Sequence, residues 1–407
     1  MKKNLQFETN ELKSLLVAKH FSMLDFEVNI IDRKKKFSFD DSFLFNGNIF
    51  DCGYHAVDIG RSLDYNAILD SLNIDWEITE GKRLLVFNNK ILSRGFNFEK
   101  IKNSFSSLNK NLYSDSFLSY LESIYGSEFV KFSIENIAKS YTQNRLWIKQ
   151  KLSAEKILYN IYPWFFPNNN NDNLDKIATH FHNDVNKKVF VRYPKNGGFM
   201  SITKSARSNL TECITKNKDD NYRVAKIDDN GILLNSNKNT LHIWPIDYFD
   251  IAPRFGFKLP KFEIVNFYLV SVILNKKINL NCNEILVGDK SYYVDRISSP
   301  KTLMGSRNID AIQFECEHED ELTEKELINN LLGFSRKFLE VNTFASYEIK
   351  KVKIKRFNIT NINKLVTNIV DFLEDKNPQL VVLNRSLNYE NLSDGIPSLI
   401  KSIKNKI

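Results

Sequence analysis

The sequence predicts an α/β protein in which both chain ends build one domain, with a helical block and an antiparallel sheet inserted between them. Three observations carry this. Residues 1–36 read as strand, helix, strand. The apolar pattern changes to a helical period at Phe98 and returns to strand patterns at Val189. Beyond Tyr347, strands and helices alternate again. The division that follows gives 1–60, 189–240 and 356–407 to the α/β domain. Residues 61–97 form a sheet segment, 98–188 a helical subdomain and 241–355 an antiparallel sheet.

Leu5–Phe7 is a short apolar run, and Leu12, Leu15, Leu16 and Met23 put most of their apolar groups on one helical face. Glu27–Ile31 is apolar and rich in the β-branched residues that strands favour, and it ends on Asp32. This is the outline of a Rossmann βαβ unit, whose second strand ends in an acid that hydrogen-bonds a ribose. Such a unit needs glycines between first strand and helix, because only glycine lets the backbone reach a pyrophosphate. Here Glu8, Asn10 and Lys13 hold those places, with Glu11 between them. Glu8 and Glu11 are expected to set negative charge where phosphates would dock at a helix N-terminus.

After a charged loop, Phe43–Asp51 leads into Phe50-Asp-Cys-Gly-Tyr-His-Ala-Val-Asp58, where Gly53 marks a close backbone approach. Ile74–Glu80 and Arg83–Phe87 read as two strands joined by a hairpin-like turn, Glu80-Gly81-Lys82. From Phe98 to about Phe165, apolar residues recur at three and four, which predicts four or five helices. Asn168–Asn173 is a surface loop by composition. Val189–Arg192 is a strand, Tyr193–Phe199 a turn and Met200–Leu210 a helix. A hairpin turns on Asp228-Asp229-Asn230, and Leu241–Trp244 is a strand. Phe262–Leu274 is too short to span a bilayer and reads as a buried strand in a strand-rich stretch reaching Ile312. Glu324–Phe338 is an amphipathic helix with Thr323 as N-cap. A strand over Tyr347–Ile354, a helix over Ile362–Leu373, a strand over Leu380–Leu383 and a helix over Asp394–Ile403 complete the chain.

Composition narrows the function. The 407 residues are 42% hydrophobic and 26% charged, ordinary for a globular protein with a large core. Met1–Lys3 is followed by no apolar run of signal-peptide type, so a cytoplasmic protein without transmembrane segments is expected. The net charge of +8 is diffuse, which suits an anionic small molecule better than nucleic acid. The four cysteines lie far apart with no C-x-x-C, so buried free thiols are expected. His180-x-His182 has no evident third ligand, so no metal is expected. No nucleophile elbow, P-loop or H-E-x-x-H is present.

Several segments, in one order, carry a resemblance. Residues 1–33 look like the opening of a flavin amine-oxidase-type protein apart from the glycines. Phe50-Asp-Cys-Gly-Tyr-His55 resembles the F-D-x-G-x-H segment of that superfamily, and Tyr193-Pro-Lys-Asn-Gly-Gly-Phe199 its Y-P-x-G-G segment. His242-Ile-Trp-Pro-Ile-Asp-Tyr-Phe-Asp250 looks like the T-G-P-I-D-x-Y-F stretch of UDP-galactopyranose mutases. Val294-Asp-Arg-Ile297 resembles their T-R-I segment, and Asn384-Arg385, Tyr389 and Asp394 their closing G-R-x4-Y-x-Y-x-D segment. The resemblance, to the UDP-galactopyranose mutase-like branch of the amine-oxidase (protoporphyrinogen oxidase-like) superfamily, covers almost the whole chain.

It implies a Rossmann-like FAD/NAD(P)-binding-type domain, a helical subdomain, an antiparallel substrate sheet, FAD as cofactor and a sugar-nucleotide substrate. By position, Asp32, Gly53, Gly197, Gly198 and Arg385 would lie at the cofactor. His55 would lie beside the flavin ring, with Arg296 and Tyr389 at the substrate diphosphate. The departures gather at the cofactor: Glu8, Asn10 and Lys13 replace glycines, Asn384 stands before Arg385, and Trp244 stands in the P-I-D segment. FAD binding is therefore expected to be weakened or lost. The residues leave alternatives open. His55 could satisfy its nitrogens within a turn, Asp32 could be a plain strand-end acid, and Arg296 could pair with Asp295 at the surface. The readings are a mutase-like protein of nucleotide-sugar and cell-surface polysaccharide metabolism, a non-catalytic homologue acting as a sugar-nucleotide-binding or scaffold protein, and an amine-oxidase-like oxidoreductase. A homodimer or a protein partner is compatible with each.

Overall fold

The computed structural model describes residues 4–9, 11–24, 26–32, 41–53, 55–59, 63–87, 90–93, 190–216, 226–234, 239–245, 248–259, 262–287, 291–357, 359–383 and 392–407. The helical subdomain expected over 98–188, with its Asn-rich loop and His180-x-His182, lies outside them. The chain opens with β1 (Asn4–Phe7), α1 (Leu12–Ser22) and β2 (Glu27–Asp32). Next come a hairpin of β3 (Ser42–Phe45) and β4 (Asn48–Asp51), then β5 (Val57–Asp58) and α2 (Leu63–Asp70), a helix the sequence reading passed over. Strands β6 (Trp76–Glu80), β7 (Arg83–Phe87), β8 (Lys90–Ser93) and β9 (Phe190–Pro194) lead to α3 (Met200–Asn209) and β10 (Ile214–Lys216). A hairpin of β11 (Lys226–Ile227) and β12 (Leu233–Leu234) precedes β13 (Thr240–Trp244) and α4 (Tyr248–Arg254). Then follow β14 (Phe262–Asn279), β15 (Glu284–Val287), β16 (Val294–Ser298), α5 (Pro300–Leu303), β17 (Asn308–His318) and α6 (Glu324–Phe338). The last elements are β18 (Phe344–Phe357), α7 (Ile359–Lys376), β19 (Leu380–Val382) and α8 (Leu392–Lys404).

Both chain ends meet in one parallel sheet of order β10-β2-β1-β13-β19. Side chains alternate across it. Leu5 and Phe7, with Leu241, Ile243 and Ile30 beside them, face a core shared with α1, α3 and α8. Leu380 and Val382 face the other way, into a core with α4 and α7. Helix α1 buries Leu12, Ser14 through Ala18, His20 and Phe21, so it is covered on nearly every side rather than along one stripe.

The second layer is a seven-stranded sheet of order β18-β14-β17-β16-β15-β7-β8, antiparallel except for the parallel β15–β7 pair. Helix α6 covers it with Leu327, Leu331 and Phe334. It starts at a capping box, in which the Thr323 hydroxyl accepts from the Glu326 N–H and the Glu326 carboxylate accepts from the Thr323 N–H.

Two sequence expectations are corrected here. Ile74–Glu80 and Arg83–Phe87 do not form a hairpin: β6 pairs with β9 in a three-stranded sheet, whereas β7 joins the large sheet beside β15. Asn283 makes the diversion, its side-chain oxygen accepting from Lys82 N at 2.7 Å and its backbone N–H donating to Lys82 O at 2.8 Å. Strand β13 was placed with the antiparallel sheet by the boundary at 241, and it is instead an inner strand of the parallel sheet. Its alternation of Leu241 and Ile243 with His242 resembles a one-sided strand, but the His242 face is covered as well.

Cys52, Cys282 and Cys316 are buried and Cys213 is half-buried, all with free thiols; burial pushes the Cys282 thiol up to about 12. Among the described residues no helix is long and apolar enough to cross a membrane.

Candidate functional site

The site-bearing segments meet where the β3–β4 hairpin, the turn after β9 and the large sheet come together. Asp51, at the end of β4, is their anchor and is only 1% exposed. Its Oδ1 accepts from Ser42 Oγ at 2.6 Å and from Phe199 N at 2.9 Å, and its Oδ2 accepts from Tyr193 OH at 2.6 Å. Its backbone carbonyl accepts from Gln313 Nε2 of β17 at 2.8 Å. One carboxylate thus ties the F-D-x-G-x-H segment to the Y-P-x-x-G-G-F turn, and the adjoining peptide ties both to the large sheet. Burial pushes the Asp51 carboxyl above its ordinary range, against the pull of its three hydrogen bonds. Burial, and then the neighbouring Asp51, push the Tyr193 phenol well up.

Gly198 permits this junction. Its φ is +70°, and a Cβ there would lie 2.6 Å from Ser42 Oγ, 2.7 Å from Ile49 Cγ2 and 2.9 Å from Asp51 Oδ1. Gly198→Ala is expected to destabilise the protein by about 2–4 kcal/mol, combining left-handed strain with overpacking. A chemical denaturation midpoint unchanged from wild type would contradict that packing. At Gly197, with φ +78°, a Cβ would clash with Ser201 Oγ in the first turn of α3.

Gly53 and His55 follow Asp51 directly. The His55 ring stacks on Phe199 at 4.6 Å, and its Nε2 is buried with no hydrogen-bond partner among the described residues. At Gly53, with φ +119°, a Cβ would lie 3.7 Å from Glu315 Oε1 and 3.9 Å from His55 Nε2. Glu315 leads to Arg296: the guanidinium NH1 is 3.5 Å from Glu315 Oε2, and Nε is 3.2 Å from Glu284 Oε2. The structure therefore brings His55, Gly53, Gly198 and Arg296 into one contiguous region. The buried Asp295 carboxylate accepts from Glu317 N at 2.8 Å, where the β16–β17 register shifts between Val294 and Arg296, while the Arg296 guanidinium faces Glu284 and Glu315. The Arg296 side chain is 32% exposed, while both of its carboxylate neighbours are buried.

Asp32 lies apart, at the end of β2, where Arg207 of α3 is ion-paired with it. Tyr389 and Arg385 lie outside the described residues. Asp51, Tyr193, Glu284 and Glu315 were not among the residues expected at the site. The first two stand inside quoted motifs, so their pairing was within reach of the sequence. The glutamates carry no local signal, since only strand pairing sets them beside Arg296. Among the described residues no group of three or more His, Cys, Asp or Glu side chains is placed to hold a metal.

For Glu8, the expected charge at the helix N-terminus is corrected. Glu8 is fully buried, and its Oε1 accepts from Gln6 Nε2 at 2.6 Å and faces His242 Nδ1 at 3.2 Å. Gln6 and His242 are paired across β1 and β13 on the side away from α1, so the carboxylate turns off the helix rather than toward it. A dinucleotide cofactor needs the opposite arrangement, a glycine backbone open to a pyrophosphate. Glu8, Thr9 and Leu12 are instead packed inside the protein, and Glu11 is the N-cap of α1 without a side-chain capping bond to the helix. The described residues there do not form that cradle.

No protein-family model matches the chain, and no curated protein does. Solved structures do match. The crystal structure of reduced UDP-galactopyranose mutase aligns with TM-score 0.69 over 100% of this chain and 95% of that one, at 10% identity. The fold is that of the mutase and the amine oxidases. Putrescine oxidase bound to putrescine aligns with TM-score 0.59 over 100% of this chain and 99% of the oxidase, at 10% identity. Cyclohexylamine oxidase from Brevibacterium oxydans aligns with TM-score 0.58 over 99% and 100%, also at 10% identity. The expected α/β flavin-type fold, with its parallel sheet and separate antiparallel sheets, is present.

Proposed function

We propose that this protein binds a nucleotide sugar through the substrate side of the mutase fold, with FAD binding weakened or lost, and acts in nucleotide-sugar or cell-surface polysaccharide metabolism without flavin chemistry. The observation that carries the reading is the burial of Glu8, Thr9 and Leu12, where a flavoprotein of this fold would need an open glycine turn. The pairing of Asp32 with Arg207 supports it, because the acid meant for a ribose is engaged by the protein itself. The end-to-end likeness to the mutase supports the ligand class, as does the net charge of +8.

In this reading Arg296, with Tyr389 and Arg385, meets the diphosphate, and His55 lines the same cleft. The Arg296 guanidinium keeps enough exposure to reach a ligand. Its two carboxylate neighbours limit its pull on an anion, so binding is expected to be weak. Calorimetry with a panel of UDP-sugars tests this. Arg296→Lys keeps a cation between the glutamates but loses the planar fork, so it is expected to bind about tenfold more weakly. No heat from any UDP-sugar at millimolar concentration would remove the nucleotide-sugar assignment and leave a scaffold role. The second reading, an active flavin mutase or amine-oxidase-like oxidoreductase, has one observation in its favour: the His55 ring stacked on Phe199 beside Gly53. An absorbance scan of the purified protein separates the two, and a flavin band near one equivalent would restore that reading.

A further inference from the structure

The carboxyl ends of the central strands, where open α/β sheets take their ligands, are closed by the protein's own groups. Beyond β1 the ladder continues, with Glu8 N donating to Ile243 O at 2.9 Å. Beyond β19, Leu383 N donates to Trp244 O at 2.8 Å. Across the first junction, His242 Nδ1 faces Glu8 Oε1 at 3.2 Å, and Gln6 Nε2 donates to the same oxygen at 2.6 Å. His242 is 4% exposed and Glu8 0%. A fully buried carboxylate needs such partners, since desolvation without them costs far more than a surface position would. On β2, between β10 and β1, Arg207 closes the Asp32 strand end.

We infer that Glu8, His242 and Gln6 form an internal polar strut that fixes the ends of β1 and β13, and that this sheet takes no adenine dinucleotide or adenosine diphosphate. The strut links the ends of β1 and β13 through side chains in addition to their backbone ladder. Its members depend on one another, because removing either leaves the other buried without that bond. The inference rests on the proposed loss of FAD and deepens it, whereas the proposed nucleotide-sugar binding concerns the Arg296 side of the molecule.

Thermal unfolding of the full chain tests it, alone and with millimolar ADP, FAD or NAD. None of the three is expected to raise the Tm. Glu8→Gln and His242→Gln are each expected to lower it by several degrees, and the double variant by clearly less than the sum. A rise in Tm with ADP, FAD or NAD that persists in Arg296→Lys would overturn the closed-sheet claim, because anything that binds the native state stabilises it. Strictly additive losses, or single variants as stable as wild type, would overturn the strut. Should either variant fail to fold, Gln6→Ala removes the third member, and an unchanged Tm there would count against the network. UDP-sugars are measured separately, so their failure to bind bears only on the nucleotide-sugar reading.

Discussion

Asp51→Ala is expected to lower the unfolding free energy by about 3–5 kcal/mol, because it strands several buried donors at once. The Ser42 hydroxyl, the Tyr193 phenol and the Phe199 N–H all donate to this one side chain. The variant should also separate the β3–β4 hairpin from the Gly197-Gly198 turn, which brings His55 out of register with Phe199. A urea denaturation midpoint measures the loss. Asp51→Asn is expected to be milder, since its amide oxygen can still accept from Ser42 and Phe199. The pH dependence has a definite sign. Burial raises the Asp51 carboxyl above its ordinary value of 3.8. A carboxyl raised in the folded state contributes its protonation-linked stability below the unfolded value and loses it as pH rises through the folded one. The advantage of wild type over Asp51→Asn should therefore shrink from pH 4 toward neutrality. A deficit in the variant that grows over that window would mean that the hydrogen bonds to the ionised form outweigh burial.

Arg296→Ala is the second large effect. Glu284 and Glu315 are both buried and both face this guanidinium. Breaking a buried ion pair by removing one partner typically costs about 3–5 kcal/mol. Exposure of 32% of the Arg296 side chain puts the expected loss at the lower end of that range. Adding Glu315→Gln to the alanine variant should recover part of the stability, because the uncompensated negative charge falls. Calorimetric unfolding of the single and double variants checks this. If the double variant is no more stable than Arg296→Ala alone, Arg296 is not held by electrostatics at this site. The result also bears on ligand binding, since a weak UDP-sugar response in Arg296→Ala would mix lost folding with lost recognition. Arg296→Lys is the cleaner probe.

The elements that local pattern specifies were legible in the sequence. The opening βαβ unit, the Thr323-capped α6 and the strand and helix at the C-terminal end follow from periodicity, capping and β-branched content, which act within a few residues. The glycine substitutions at 8, 10 and 13 were equally plain, because a missing glycine is a statement about backbone reach that needs no partner. Legibility failed wherever a partner distant in sequence decides the outcome. Asn283 sends β6 and β7 into different sheets. Glu8 looked like a charge at a helix N-terminus and is a buried member of a cross-strand network, because His242 stands 234 residues away in sequence and 3.2 Å away in space. Arg296 looked like a neighbour of Asp295, but a register shift in the β16–β17 pairing gives the Asp295 carboxylate to the Glu317 N–H and sets two buried glutamates beside the guanidinium. The sequence by itself determined the opening βαβ unit, α6 and the C-terminal strand and helix, and that the phosphate-binding glycines are gone. The tertiary structure alone decided where each charged side chain finds its counterpart, because the large cost of burying a charge is settled by contacts between strands that the order of residues does not bring together.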